Sequence, residues 1–105
     1  MYPREIFTTE EISLIEKCIA LSLEEGLIFP SWEFSILTGM SFNEARMILK
    51  NWPELELEKN DTARALRVIF NNLAGYPHKK EALILSETGL DLDGVHRLFK
   101  RFPKN

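Results

Sequence analysis

The chain has 105 residues, 45% of them hydrophobic and 28% charged, with a net charge of −3 at neutral pH. That balance excludes a disordered chain, and the length supports one sound hydrophobic core but is thin for two separate ones. A single cysteine, Cys18, excludes an internal disulfide and a cysteine metal cage; with no apolar run long enough for a signal peptide or a membrane span, the expected location is the cytoplasm and no membrane partner is expected.

Thr8-Thr9-Glu10-Glu11 has the form of a capping box, with Phe7 and Ile12 placed to close a hydrophobic staple around it. Ile12, Ile15, Cys18, Ile19 and Leu23 then recur on one stripe as far as Gly26, which predicts a first helix over 9–25 with a left-handed glycine stop and a buried cysteine. Ser31 is placed as the N-cap of a short second helix in which Trp32, Phe34, Ile36 and Leu37 supply apolar bulk before Gly39. Ser41-Phe42-Asn43-Glu44 is a second capping box, and Phe42, Ala45, Ile48, Leu49 and Trp52 keep helical spacing until Pro53. The connector Leu55-Glu56-Leu57-Glu58-Lys59-Asn60 alternates apolar and charged residues and is read as an extended strap over the core. Asn60 or Asp61 caps the next helix, and the pattern restarts as three further helices over 61–74, 79–88 and 91–102, with Asp91 as the N-cap of the last.

The last three helices repeat the first three. Shifted by fifty residues, Thr38-Gly39 falls on Thr88-Gly89, Lys50 on Lys100 and Pro53 on Pro103, while Phe42/Leu92, Ala45/Val95, Ile48/Leu98 and Trp52/Phe102 preserve the apolar stripe. The expected fold is all-α, about six helices as two tandem three-helix units packed into one globule, with an acidic repeat over 1–58 and a basic one over 59–105. In each half a helix, a tight turn holding a glycine and a capped helix succeed one another. Ser35, Gly39, Met40, Ala45 and Ile48 in one half, and Leu85, Gly89, Leu90, Val95 and Leu98 in the other, stand at the positions that carry the turn signature of the helix-turn-helix family. This arrangement resembles the helix-turn-helix of DNA-binding regulators, with Leu85 bulkier than the small residue usual at that point. The resemblance implies groove-facing residues in the last helix, namely Asp91, Asp93, His96, Arg97 and Lys100, with Arg101 and Lys104 near phosphate and Lys79 and Lys80 on the nucleic-acid backbone.

Charge separates the halves. Residues 1–60 carry five bases against eleven acids, a net of −6, and residues 61–105 carry eight bases against five acids, a net of +3. Nucleic-acid affinity comes mainly from neutralising phosphates, so only the second half suits that partner. The corresponding outer face of the first half holds Asn43, Arg46, Met47 and Lys50, where a methionine among polar groups suits an adaptable protein contact, and Trp32 at the start of its short helix is placed to anchor one.

The chain lacks the spacings that chemistry needs. His78 and His96 are a helix apart and without carboxylate partners at ligand spacing, so helix capping or surface exposure accounts for them. The glutamate clusters lie at helix ends or alternate with leucine, and the five glycines are scattered, so neither an acid–base pair nor a phosphate loop is formed. The first-turn Gly94 marks a close approach, with the other repeat as the neighbour expected there. The sequence predicts a non-enzymatic regulatory or adaptor protein without a cofactor, metal or small-molecule ligand, binding another protein or itself; the alternative is a DNA-binding regulator that uses its C-terminal half.

Overall fold

Capping decides where the helices begin in the computed structural model, which describes residues 1–103. The Thr8 hydroxyl accepts from the Glu11 amide at 3.1 Å while the Glu11 carboxylate accepts from the Thr8 amide at 2.9 Å, and Ser41 and Glu44 repeat the exchange at 3.1 and 3.2 Å. The Asp91 carboxylate accepts from the Gly94 amide at 2.7 Å. Two orphan amides are satisfied by each full box and one by the aspartate, so three helices start where the sequence places them. Ser31, by contrast, is already helical behind Pro30, and the next long helix starts at Asn60 with no side-chain cap.

Among the described residues there are seven α-helices and no strand: α1 (Pro3–Ile6), α2 (Thr9–Leu23), α3 (Ser31–Thr38), α4 (Phe42–Leu49), α5 (Asn60–Gly75), α6 (Glu81–Thr88) and α7 (Leu92–Phe99). The element beyond the expected six is α1, a single turn with a buried proline at its first position, where a missing amide hydrogen costs nothing. The connector runs as turns with Leu55 and Leu57 buried, Glu54 and Glu58 exposed and Glu56 half-buried between them, so it covers the core by alternation without forming a strand. The Leu57 amide donates to the Met1 carbonyl at 2.8 Å, and the terminal ammonium pairs with Glu56, which ties the strap to the start of the chain.

Packing exchanges partners between the halves. The short helix α3 lies against α5, and α6 lies against α2, so each short helix rests on the long helix of the other half; α4 also packs on α5, and α7 packs most extensively on α5. Side chains from every helix therefore meet in one core, with Ile15, Cys18, Phe34, Ile69, Phe70, Ile84 and Val95 completely excluded from solvent. A radius of gyration of 12.6 Å is what a single body of about 100 residues has. The two halves, expected to pack into one globule, do so by interlocking, because two cores of fifty residues would each be too small to exclude water well.

The two corners, α3–α4 and α6–α7, are built alike. Gly39 and Gly89 sit at φ +75° and +76°, each sending its amide to a carbonyl four residues back at 2.8 Å. Thr38 donates its hydroxyl to the Phe34 carbonyl at 2.7 Å and Thr88 donates to Ile84 at 2.6 Å, and each hydroxyl in turn accepts from the amide two residues on. Glycine, having no β-carbon, avoids there the clash that any other residue would suffer in the left-handed region. Gly94 has a different origin from the one expected: a β-carbon would lie 3.2 Å from Asp91 Oδ1 and from Leu90 Cδ2, so its own N-cap turn, and not the other half, makes the close approach.

Candidate functional site

The outer face of α3 carries two large apolar side chains that nothing covers. Trp32 is 68% exposed and Ile36 is 75% exposed, and their spacing of four residues sets them one helical turn apart on the same side. The helix is held from beneath by Phe34, whose ring stacks on Phe42 at 4.1 Å, and from the side by Glu33, which accepts the Tyr76 hydroxyl. That bond raises the Tyr76 phenol above its ordinary pKa, because the nearby carboxylate disfavours a phenolate. A rigid platform is thus built under an apolar surface.

Met47 on α4 is 65% exposed, so the methionine falls to solvent and not onto the other half. Its neighbours are less free. Arg46 donates to the Leu23 carbonyl and, at 3.1 Å, to Asn43 Oδ1, while its guanidinium lies 5.5 Å from the centre of the Phe42 ring. Arg46, steadied by Asn43 on its own helix, therefore stitches α4 to the end of α2. Lys50 is exposed beside a shallow groove of about 510 Å³ between α2 and α4, which also contains Glu24 and Arg46.

The basic residues of the second half divide into three groups. Arg97, Lys79 and Lys80 are exposed, with Lys79 at a positive φ of 60° and the Lys80 amide donating to His78 Nδ1 at 2.9 Å. His96 and Lys100 line a cleft of about 420 Å³ between α5 and α7, joined there by Arg67. Arg101 is committed elsewhere: it pairs with Glu11, donates to the Ile6 carbonyl at 2.7 Å and covers the Phe7 ring at 4.9 Å. Lys104 lies outside the described residues. Asp91 and Asp93 are exposed on the same helix as Arg97, so that face is of mixed charge.

His78 is buried, with Nε2 against the Leu73 carbonyl at 2.8 Å and Nδ1 accepting from Lys80. One ring thus closes the end of α5 and the start of α6, which is capping from the interior; surface exposure does not apply to it. The neutral tautomer with hydrogen on Nε2 satisfies both bonds. His96, by contrast, is exposed.

Comparison with protein-family models, curated proteins and solved structures finds no match.

The remaining perturbed groups each have a structural cause. Glu11 is held below the usual carboxylate range first by the Thr8 amide and then by Arg101, and Glu56 is lowered by the chain's terminal ammonium, which is raised in turn. Burial pushes the Cys18 thiol up to about 12, so it stays protonated and unreactive. No group of three or more metal-binding side chains occurs among the described residues, and no described helix is long and apolar enough to cross a membrane.

Sequence reasoning missed the exposure of Ile36 and of Leu85, which is 51% exposed on α6, and the place of Arg67 in the cleft. The first two had a readable signal. In the fifty-residue register Ile36 faces Ser86 and Leu85 faces Ser35, and a serine in one half marks a solvent position in the other. Arg67 had none, because the cleft exists only once α7 lies on α5.

Proposed function

We propose that this protein is a non-enzymatic adaptor that binds another protein, or a second copy of itself, through the outer face of α3. The observation that carries this reading is the exposed Trp32–Ile36 pair on a helix whose opposite side is locked into the core. Covering one such side chain contributes about 1.5–3 kcal/mol, and tryptophan is prominent among residues that dominate binding energy. Met47 is an adaptable further contact, while Asn43, Arg46 and Lys50 serve as polar surroundings. The perturbed ionisable groups support a non-catalytic role, since capping, the chain terminus, burial and the Tyr76–Glu33 bond that braces α3 account for them. The fifty-residue register supports regarding the two corners as copies of one helix-turn-helix-like unit that have exchanged long-helix partners.

The test compares wild type with Trp32→Ala/Ile36→Glu by light scattering and by affinity capture after nuclease treatment. The double variant melts like wild type and loses the captured partner or the self-association. A partner retained equally by both proteins would sink the reading, as would a strictly monomeric wild type that captures nothing.

A second reading, DNA binding by α6–α7, is supported by the shared corner and by the exposed Lys79, Lys80, Arg97 and Lys100. Arg101 adds little to it, because its donors are already used within the chain. Duplex binding of this kind weakens steeply between about 50 and 200 mM salt. Absence of binding at the lower salt eliminates it.

A further inference from the structure

The cleft between α5 and α7 has a composition different from the rest of the surface. Its floor is apolar, formed by Leu57, Leu66 and Phe102, which are buried, and by the half-buried Phe99. Its edge is basic: Arg67 from α5, and His96 and Lys100 from α7, the latter two four residues apart and so on one side of their helix. No acidic side chain lines it, and among the described residues none of these three basic side chains makes a hydrogen bond or an ion pair. A volume of about 420 Å³ lies within the range of small-molecule sites.

We propose that this cleft binds a small amphipathic carboxylate, its hydrocarbon body on Leu66, Phe99 and Phe102 and its carboxylate at Arg67 and Lys100. The apolar floor accounts for the hydrocarbon and the unpaired cations for the charge; a bare anion would leave the floor wet, and a neutral hydrocarbon would leave the cations unused. The groove between α2 and α4 is the internal contrast. It has the equivalent lysine, Lys50, but also Glu24, and its Arg46 already donates to Leu23 and Asn43, so it offers no comparable attraction for an anion.

The experiment titrates the full chain with decanoate below its micelle concentration, followed by calorimetry and by amide chemical shifts. Saturable one-to-one binding is expected, with the largest shifts at Leu66, Phe99 and Lys100. Acetate should not bind, and decyltrimethylammonium should bind at least about tenfold more weakly, the scale of one lost charge-assisted contact. Arg67→Glu and Lys100→Glu, both at exposed positions, weaken decanoate by about tenfold or more each, whereas Lys50→Glu leaves it unchanged. Ala63→Phe, which fills the cleft from α5, abolishes binding; its circular dichroism and melting confirm that it folds. The proposal is overturned if decanoate does not saturate, if acetate or the cationic amphiphile binds as well, or if the shifts fall outside the cleft. These outcomes are independent of the α3 reading, since Trp32 and Ile36 take no part in them.

Discussion

The corners α3–α4 and α6–α7 share a turn and differ in what they show to solvent. Thr38 and Thr88 make the same kind of bond, Gly39 and Gly89 the same left-handed turn, and Phe34 and Ile84 are both completely buried four residues before the threonine. Outside, Trp32 stands where the other corner has Ala82, Ile36 where it has Ser86, and Met47 where it has Arg97. Packing tolerates little change within and almost any change without, so two surfaces of different chemistry are carried on one local geometry.

The buried pair gives the largest effect with which to test that likeness. Phe34→Ala is expected to cost about 3–5 kcal/mol and Ile84→Ala about 2–5 kcal/mol, each by transfer and cavity terms. In urea, followed by circular dichroism and tryptophan fluorescence, both variants unfold in a single transition, because α3 rests on α5 and α6 on α2. Two separated transitions would show the halves to be independent and break the interlocked description.

The glycines come next. Gly39→Ala and Gly89→Ala each cost about 1–2 kcal/mol for a β-carbon in the left-handed region. The Gly39 variant loses slightly more, since its β-carbon would lie 2.8 Å from Arg64 Nη2, which donates to the Gly39 carbonyl at 3.4 Å, whereas Gly89 faces open space. Repeating both changes in an Arg64→Ala background should make the two melting shifts equal.

The smallest effect compares the two capping boxes. Glu11→Gln should cost up to about 1 kcal/mol at pH 7, a figure already discounted for the exposed Arg101, and Glu44→Gln less, because Glu44 has no arginine across the fold. The folded pKa of Glu11 is lowered, so its stabilisation is fully present above the ordinary value of 4.5 and is lost as pH falls through the folded value. The gap between wild type and Glu11→Gln in urea midpoints should therefore close below pH 4.5. A gap that widens in acid would contradict the assignment.

Much of the local structure is legible in the chain itself. The two S/T-x-x-E boxes, Asp91 and the left-handed glycines act within four residues, so spacing is enough to place them, and the stripe containing Cys18 correctly predicts burial. The α1 turn escaped notice because a four-residue helix has no periodicity to read. Met47 could be singled out as a departure from the buried stripe, Trp32 by its place at the start of a short helix, and Ile36 only by its serine counterpart.

Sequence by itself determined that the chain is helical, where most helices start, which stripe of α2 is buried, and that one half is acidic and the other basic. These properties arise from hydrogen bonds and periodicities that span a few residues. Tertiary structure decided which helix lies on which, and with it the placement of α3 on α5 and of α6 on α2, the burial of His78, the employment of Arg101 and the basic-edged cleft. Each of these depends on groups that are distant in sequence meeting on a shared core, and the energy that selects such meetings is non-directional burial summed over the whole chain, which no local pattern records.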